Sequence, residues 1–146
     1  MPLLPRKGIL AIAAVIDIAL NAGGRPVAAK ALATRHRLPP RHLEPVLQAL
    51  VHDGILRGVR GPHGGYALAR ERGDIGIDEI VRAAASVRDD DSEISSPLIA
   101  DVVSPAVAEA ERAFSGALSR INVDDLARRV EASNRGEESA EIDFTI

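Results

Sequence analysis

The chain has 146 residues, of which 46% are hydrophobic but only 2% aromatic, and it contains no cysteine. This length and composition fit one domain with an aliphatic, alanine-rich core, and they exclude disulfides, thiol nucleophiles and cysteine-ligated metal centres. Residues 1–72 carry 11 Lys and Arg against 4 Asp and Glu, a formal +7, whereas residues 73–146 carry 7 against 17, a formal −10. Such a split indicates a nucleic-acid-facing N-terminal half, with chance clustering of solvated charges as the alternative.

The N-terminal segment begins with basic residues and continues into an apolar run, which is the pattern of a secretory signal. Asp17 interrupts this run, and the run is too short to span a bilayer. We therefore predict a buried helix over 7–21 and a cytoplasmic protein that does not interact with a membrane. A second helix is predicted over 26–36, and Pro39 and Pro40 interrupt the chain after it.

The middle of the chain is predicted to contain a helix, a hairpin and another helix. Residues 41–54 have leucine and valine on one helical face. Two short apolar runs, 55–60 and 66–70, flank the glycine-rich stretch Gly61–Gly65 and indicate a β-hairpin. A fourth helix is predicted over 76–84.

The C-terminal half is predicted to begin with an acidic linker over 86–103. Ser104 and Pro105 have the pattern of a helix cap followed by proline at the first helical position. Apolar residues then recur with a period of 3.5, which is typical of a helix–helix seam, although packing within its own chain is the alternative. The predicted dimerisation residues are Val107, Ala110, Phe114, Ala117, Leu118 and Ile121. This helix and a last one capped by Asn122 make up residues 104–132, and 133–146 are predicted to be a flexible tail.

The predicted order of elements is typical of a winged helix-turn-helix over residues 1–85. The fold class is therefore mainly α with a small β-hairpin wing, followed by a C-terminal dimerisation helix. A tip made of glycine is thin enough to approach DNA closely, and an arginine beside it is attracted to the negative potential of a minor groove. The third helix would lie in the major groove.

The chain from about residue 4 to residue 130 resembles the Rrf2 family of bacterial winged-helix transcriptional regulators. The family includes an iron–sulfur cluster regulator, a nitric-oxide-sensitive repressor and a cysteine-metabolism repressor. The resemblance is carried by Lys7-Gly8, by Leu43-Glu44 and by "GILRGVRGPHGGYAL" from Gly54 to Leu68. "IDEIVRAA" and "INVDDLARRV" also fit the family pattern.

The resemblance implies that the arginine of the wing, Arg60, enters a minor groove and that Glu44 reads a base edge. Arg6 and Lys7 would contact phosphates. The full set of predicted DNA-binding residues is Arg6, Lys7, Arg41, His42, Glu44, Arg60, Gly61, His63, Gly64 and Gly65.

Three departures from the family pattern lie in the third helix. His42 replaces a tyrosine, Arg41 replaces a small polar residue, and Pro45 follows Glu44 where glutamine is common. Proline removes a backbone donor and clashes one turn back, so the sequence predicts a helix that is kinked or starts late, which puts the family's operator sequence in question.

The sensor segment also departs from the family pattern. Cluster-binding relatives carry three cysteines in the segment that matches 86–103, and this chain has carboxylates there instead: Asp89, Asp90, Asp91, Glu93 and Asp101. We expect these carboxylates to be solvated, and His36, His42 and His63 to contact phosphate or water. No metal and no cofactor are therefore predicted.

The resulting hypothesis is a homodimeric regulator that binds double-stranded DNA, acts as a repressor and has no iron–sulfur cluster. The alternative is a winged-helix module that binds another protein, or a regulator controlled by a protein partner, with reduced or no operator reading. Pro45 and the acidic half favour this alternative. An enzyme is not predicted, because "GPHGG" lacks the Lys-Ser/Thr of a phosphate-binding loop and no nucleophile–base pair stands out.

Overall fold

The structure is a computed structural model that describes residues 4–21, 25–87 and 96–143, with side chains up to residue 135. Its mainly helical chain with one antiparallel hairpin confirms the predicted fold class. A 3₁₀ turn and a π turn lie before α4 and α5. In chain order, the elements are α1 (Arg6–Leu20), α2 (Ala29–His36), α3 (Pro40–His52), β1 (Leu56–Val59), β2 (Gly65–Leu68), α4 (Ile77–Ala85), α5 (Ser104–Ser119) and α6 (Val123–Asp143).

The core is aliphatic, as the composition predicts, and helix α3 contributes one complete face to it. Leu43, Leu47 and Leu50 of α3 are each no more than 1% exposed. Burying one such side chain contributes about 1.5–3 kcal/mol. This face packs with α1, α2, α4 and β1, so it determines how α3 is rotated and which of its residues point outward.

The break between α2 and α3 is a tight turn. Arg37 adopts the left-handed conformation with φ 54°, and the N–H of Leu38 donates to the carbonyl of Ala33 at 2.9 Å. Pro39 is extended, and Pro40 occupies the first helical position, where its missing N–H costs nothing. Helix α3 therefore begins at Pro40, where the sequence predicts an interruption of the chain.

The hairpin has a third segment beside it at its base. The N–H groups of Val27 and Tyr66 each donate to the other's carbonyl, both at 2.8 Å. This pairing brings the Val27 backbone so close to Gly65 that a Cβ at Gly65 would lie 2.4 Å from the Val27 carbonyl oxygen. Gly65 also has φ +152°. A residue without a side chain is therefore required here by the packing of the protein itself.

The base of the hairpin is joined to α4 through an ion pair. The guanidinium of Arg70 donates to a carboxylate oxygen of Glu79 at 2.9 Å, and the N–H of Gly76 donates to the other oxygen at 2.9 Å. Partial burial acts to raise the pKa of Glu79, but the hydrogen bonds from Gly76 and Arg70 outweigh it and hold this pKa below its ordinary value of 4.5.

The C-terminal helices are attached to the rest of the chain through backbone pairing. The N–H of Ile77 donates to the carbonyl of Ile121 at 2.9 Å, and the N–H of Val123 donates to the carbonyl of Ile75 at 3.0 Å. The side chains of Asn122 and Asp125 accept reciprocal bonds from each other's backbone N–H at 2.9 and 3.0 Å. This capping box starts α6 at the predicted position.

Three expectations about the C-terminal half are wrong. The linker was expected to reach residue 103, but residues 97–103 are helical and include the π turn Ile99–Val103. Ser104 has helical backbone angles and is therefore not a cap. The helical backbone continues through Pro105, since a proline can lie within a continuous helix. Residues 133–143, predicted to be a flexible tail, continue α6, since glutamate and alanine have high helix propensity.

The structure also describes the surroundings of α5 and one of the predicted linker carboxylates. In its own chain, α5 packs on α4. Asp89, Asp90, Asp91 and Glu93 lie outside the described residues, whereas Asp101 is exposed in the π turn.

The close approach at Gly65 can be tested by substitution. We expect Gly65→Ala to lower the free energy of unfolding by about 1–3 kcal/mol, because the new Cβ collides with the Val27 backbone. Gly58→Ala in the paired strand is the control, because a Cβ there meets nothing within 4 Å. Urea denaturation measures both variants, and equal stability of the two would contradict the packing requirement.

The lowered pKa of Glu79 implies a pH-dependent contribution to stability. A group with a lowered folded-state pKa stabilises the fold above its unfolded pKa, and the contribution is lost as the pH falls through the folded pKa. We therefore expect Glu79→Gln to lower the melting temperature at pH 7 and to differ less from wild type below a pH of about 4. Glu71→Gln, at an exposed side chain, is the control. If the difference in melting temperature between wild type and Glu79→Gln did not change with pH, the charge of Glu79 would not be involved.

Candidate nucleic-acid interface

The predicted reading residues of α3 all point away from the core. Arg41, His42 and Glu44 are exposed, whereas Leu43, between them, is buried. The rotation of α3 that buries its leucine face thus presents these three polar side chains at the N-terminal end of the helix. These side chains provide a cation, hydrogen-bond donors and a hydrogen-bond acceptor, which are the groups that bind phosphates and base edges.

Pro45 does not delay the start of the helix. Helix α3 is continuous from Pro40 to His52, with Pro45 exposed on its outer side. The prediction of a late start is therefore wrong. Because proline has no N–H, Pro45 cannot donate to the carbonyl of Arg41 one turn back.

The N-terminus of α1 lies beside the N-terminal end of α3. Arg6 and Lys7 line a shallow groove together with Arg41, His42 and Pro45. The structure therefore brings four of the predicted site residues together on one surface, although they come from segments about 35 residues apart along the chain. Three of the four are arginine or lysine, so this surface is basic.

Lys7 has a second role that the sequence does not indicate. Its side chain is half-buried, and its amine donates a hydrogen bond to the carbonyl of Val87, just beyond the end of α4. Lys7 therefore ties the start of α1 to the end of α4. Arg6 is exposed at the first position of the same helix.

The hairpin projects two polar side chains at its tip. Arg60 and His63 are exposed, and neither side chain has an ion-pair partner within residues 4–21, 25–87 and 96–135. Gly61 has φ +113°, a conformation that side chains disfavour. A Cβ at Gly64 would lie 2.2 Å from the carbonyl oxygen of Val59. Glycine at position 64 is thus required by the turn itself, whereas at Gly65 it is required by the contact with Val27.

Two other basic side chains near the helix-turn-helix are held by an internal carboxylate. Arg35 and His36, at the end of α2, each lie 2.8 Å from a carboxylate oxygen of Asp17 on α1. The expectation that His36 contacts phosphate or water therefore needs correction, since its imidazole has a protein partner. The sequence analysis omitted Arg37, which is exposed in the turn directly before α3. The position of Arg37 between two predicted helices could have indicated that it lies near the start of α3.

Helix α5 has no fully buried residue, and the predicted dimerisation residues on it divide into two groups. Leu118 and the following Ile121 pack against the core of their own chain. Val107 is 48% exposed and Ala110 is exposed, while Phe114 is half-buried and Ala117 exposed. Leu98 and Val102, which lie before α5 and are not among the predicted dimerisation residues, are also apolar and are 65% and 60% exposed.

Within the parts of the chain that are described, no helix combines the length and the hydropathy needed to cross a membrane.

Solved structures with the same arrangement of elements exist. IscR from T. potens has a TM-score of 0.68 and 28% sequence identity, with 89% of each chain covered. The global cysteine regulator CymR from B. subtilis has a TM-score of 0.67 and 23% identity, with 88% of this chain and 98% of that chain covered. At that lower identity the likeness to CymR concerns the fold alone.

Curated proteins match 80 residues of the chain. The HTH-type transcriptional regulator IscR from Cronobacter sakazakii is 35% identical over 80 residues, which is 55% of this chain and 49% of the relative. The chain thus spans about half the length of this relative.

A family model described as "Rrf2: Iron-dependent Transcriptional regulator" matches residues 4–129. Cysteine-ligated clusters need thiolates, and none of the 146 residues is cysteine. Where the structure describes the chain, it places no group of three His, Asp or Glu residues that could hold a metal ion. The donor set therefore does not fit a cysteine-ligated iron–sulfur cluster. Because the match covers most of the sequence, the chain belongs to the Rrf2 family of transcriptional regulators.

Proposed function

We propose that the protein is a sequence-specific DNA-binding regulator that works as a homodimeric repressor without an iron–sulfur cluster. The observation that carries the proposal is the outward-facing N-terminal end of α3, with Arg41, His42 and Glu44 exposed beside Arg6. We further propose that the protein is bacterial and cytoplasmic, because the DNA that it would bind is accessible in the cytoplasm.

Each element of this surface has a role in the proposal. The N-terminal end of α3 enters the major groove, where Glu44 accepts from a cytosine amino group and Arg41 and His42 donate to bases or phosphates. Arg6 contacts the phosphate backbone. The wing reaches the adjacent minor groove, where Arg60 is attracted by the negative potential.

The charge distribution supports the same orientation. The reading surface belongs to residues 1–72, which carry a formal +7, while residues 73–146 carry a formal −10. DNA repels the acidic half, so the C-terminal helices lie on the side away from the duplex. Occupation of promoter DNA in this orientation would exclude polymerase, which is how we expect repression to occur.

The dimer follows from the exposed face of α5. Leu98 and Val102, just before α5, and Val107, on α5, are apolar side chains that are 65%, 60% and 48% exposed. A two-fold pair would cover this surface, and it would space two reading helices to match two half-sites.

DNA binding can be tested with a duplex that contains the region upstream of the protein's own gene. We expect the dissociation constant to rise steeply with salt, because each neutralised phosphate contributes about 0.9 to the log–log slope. At fixed salt, Arg60→Ala should weaken binding by about 1–3 kcal/mol without changing the melting temperature, because the side chain is exposed.

Arg112→Ala is the matched control, since it removes one exposed arginine from α5, in the acidic half. Fluorescence anisotropy measures all three proteins on the same duplex. A slope near zero would contradict the DNA-binding proposal and favour the alternative, a winged-helix module that binds another protein. Equal affinities of wild type and Arg60→Ala would remove Arg60 from the interface.

The oligomeric state can be tested with a charge placed on the exposed seam. We expect Val107→Asp to produce monomers, because a carboxylate in a desolvated interface costs several kcal/mol at order of magnitude, whereas at a 48% exposed position of one chain it costs little. Arg112→Asp, near the opposite face of α5, should remain dimeric. Sedimentation velocity reads both variants, and a monomeric wild type at tens of micromolar would overturn the dimer.

A further inference from the structure

A pocket lies at the base of the wing, and we call it the wing-base pocket. It lies between the end of α1, the hairpin, the 3₁₀ turn and α6, and it encloses about 440 Å³. Ile18 and Leu20 of α1 supply apolar wall, and Arg25, Arg57, Arg72 and Glu131 supply the charged groups. This volume is within the usual range for sites that hold small organic ligands.

The charges that line the wing-base pocket are predominantly positive. Three arginines and one glutamate sum to +2. Arg72 is already engaged: its guanidinium lies 3.2 Å from Asp124 and 3.1 Å from Glu131, both on α6. Asp124 reduces the local sum to +1. The structure shows no ion pair for Arg25 or Arg57 in the ranges it describes, so these two cations lack an anionic partner.

The pocket is at the opposite end of the hairpin from the tip. Arg57 pairs in register with Ala67, at the end of the ribbon nearest the core, whereas the tip is formed by Gly61 to Gly64. Arg25 precedes Val27, whose backbone pairs with Tyr66. Arg25 and Arg57 are thus separate from the surface that we assign to DNA, and their charge is not explained by that surface.

We propose that the wing-base pocket binds a small organic anion through a carboxylate or phosphate group. Arg25 and Arg57 hold the anionic group, because a guanidinium presents paired donors that match these oxygens. The carbon body of the ligand lies against Ile18 and Leu20. The bound anion connects the segment before α2 to β1, next to the Arg72 ion pairs that join the 3₁₀ turn to α6.

The experiment is calorimetric titration of the whole chain, without DNA, with citrate and with glycerol 3-phosphate. Potassium chloride at matched ionic strength is the reference. We expect at least one probe to bind with one site per chain, and the pair of probes distinguishes a carboxylate from a phosphate ligand. Arg57→Gln should weaken that binding by about tenfold or more, because a charge-assisted pair is lost.

Two further variants complete the test. Arg25→Gln should weaken binding to a similar extent, and it serves as the second variant if Arg57→Gln does not fold. Arg112→Gln, on exposed α5, should bind as wild type does. The proposal is overturned if neither probe binds more tightly than chloride, or if both pocket variants bind as wild type does. Since no DNA is present, either result is independent of the proposed DNA binding.

Discussion

The fold depends on a close contact between two backbones, at Val27 and Tyr66. Their two 2.8 Å hydrogen bonds join the segment before α2 to the hairpin, and they are possible only because Gly65 has no side chain to separate the strands. This contact determines where the wing leaves the domain. The position of Arg60 and His63 relative to the reading end of α3 follows from it, because α2 and α3 share one aliphatic core.

A second backbone pairing joins the C-terminal half to the rest of the chain. The chain before α4 pairs with the chain before α6 through Ile77 and Val123, and the capping box at Asn122 starts α6 at that point. Helix α5 is therefore held at its C-terminal end, where Leu118 packs on the core. Its N-terminal part is left with apolar residues exposed, and this is the face that the proposed dimer would bury.

The structure also separates structural arginines from available ones. Arg35 pairs with Asp17, Arg70 with Glu79 and Arg72 with two carboxylates of α6. These ion pairs are partly solvated and each contributes modestly to stability. Arg41 on the α3 surface, Arg60 at the wing tip and Arg57 in the wing-base pocket take part in none of these pairs and are exposed at the places where we propose that anions bind.

The sequence by itself determined the helix-turn-helix, the hairpin and the start of α6, because helical periodicity, proline breaks, glycine turns and a capping box act over a few residues. It also excluded a cysteine-ligated cluster, which needs a residue type that the chain lacks. Only the tertiary structure decided that His36 pairs with Asp17, that Lys7 reaches Val87, that Gly65 makes room for Val27, and that Arg25 and Arg57 line one pocket. Each of these contacts joins residues that are distant in the chain, and their meeting depends on how the helices pack around the common core, which no local pattern encodes.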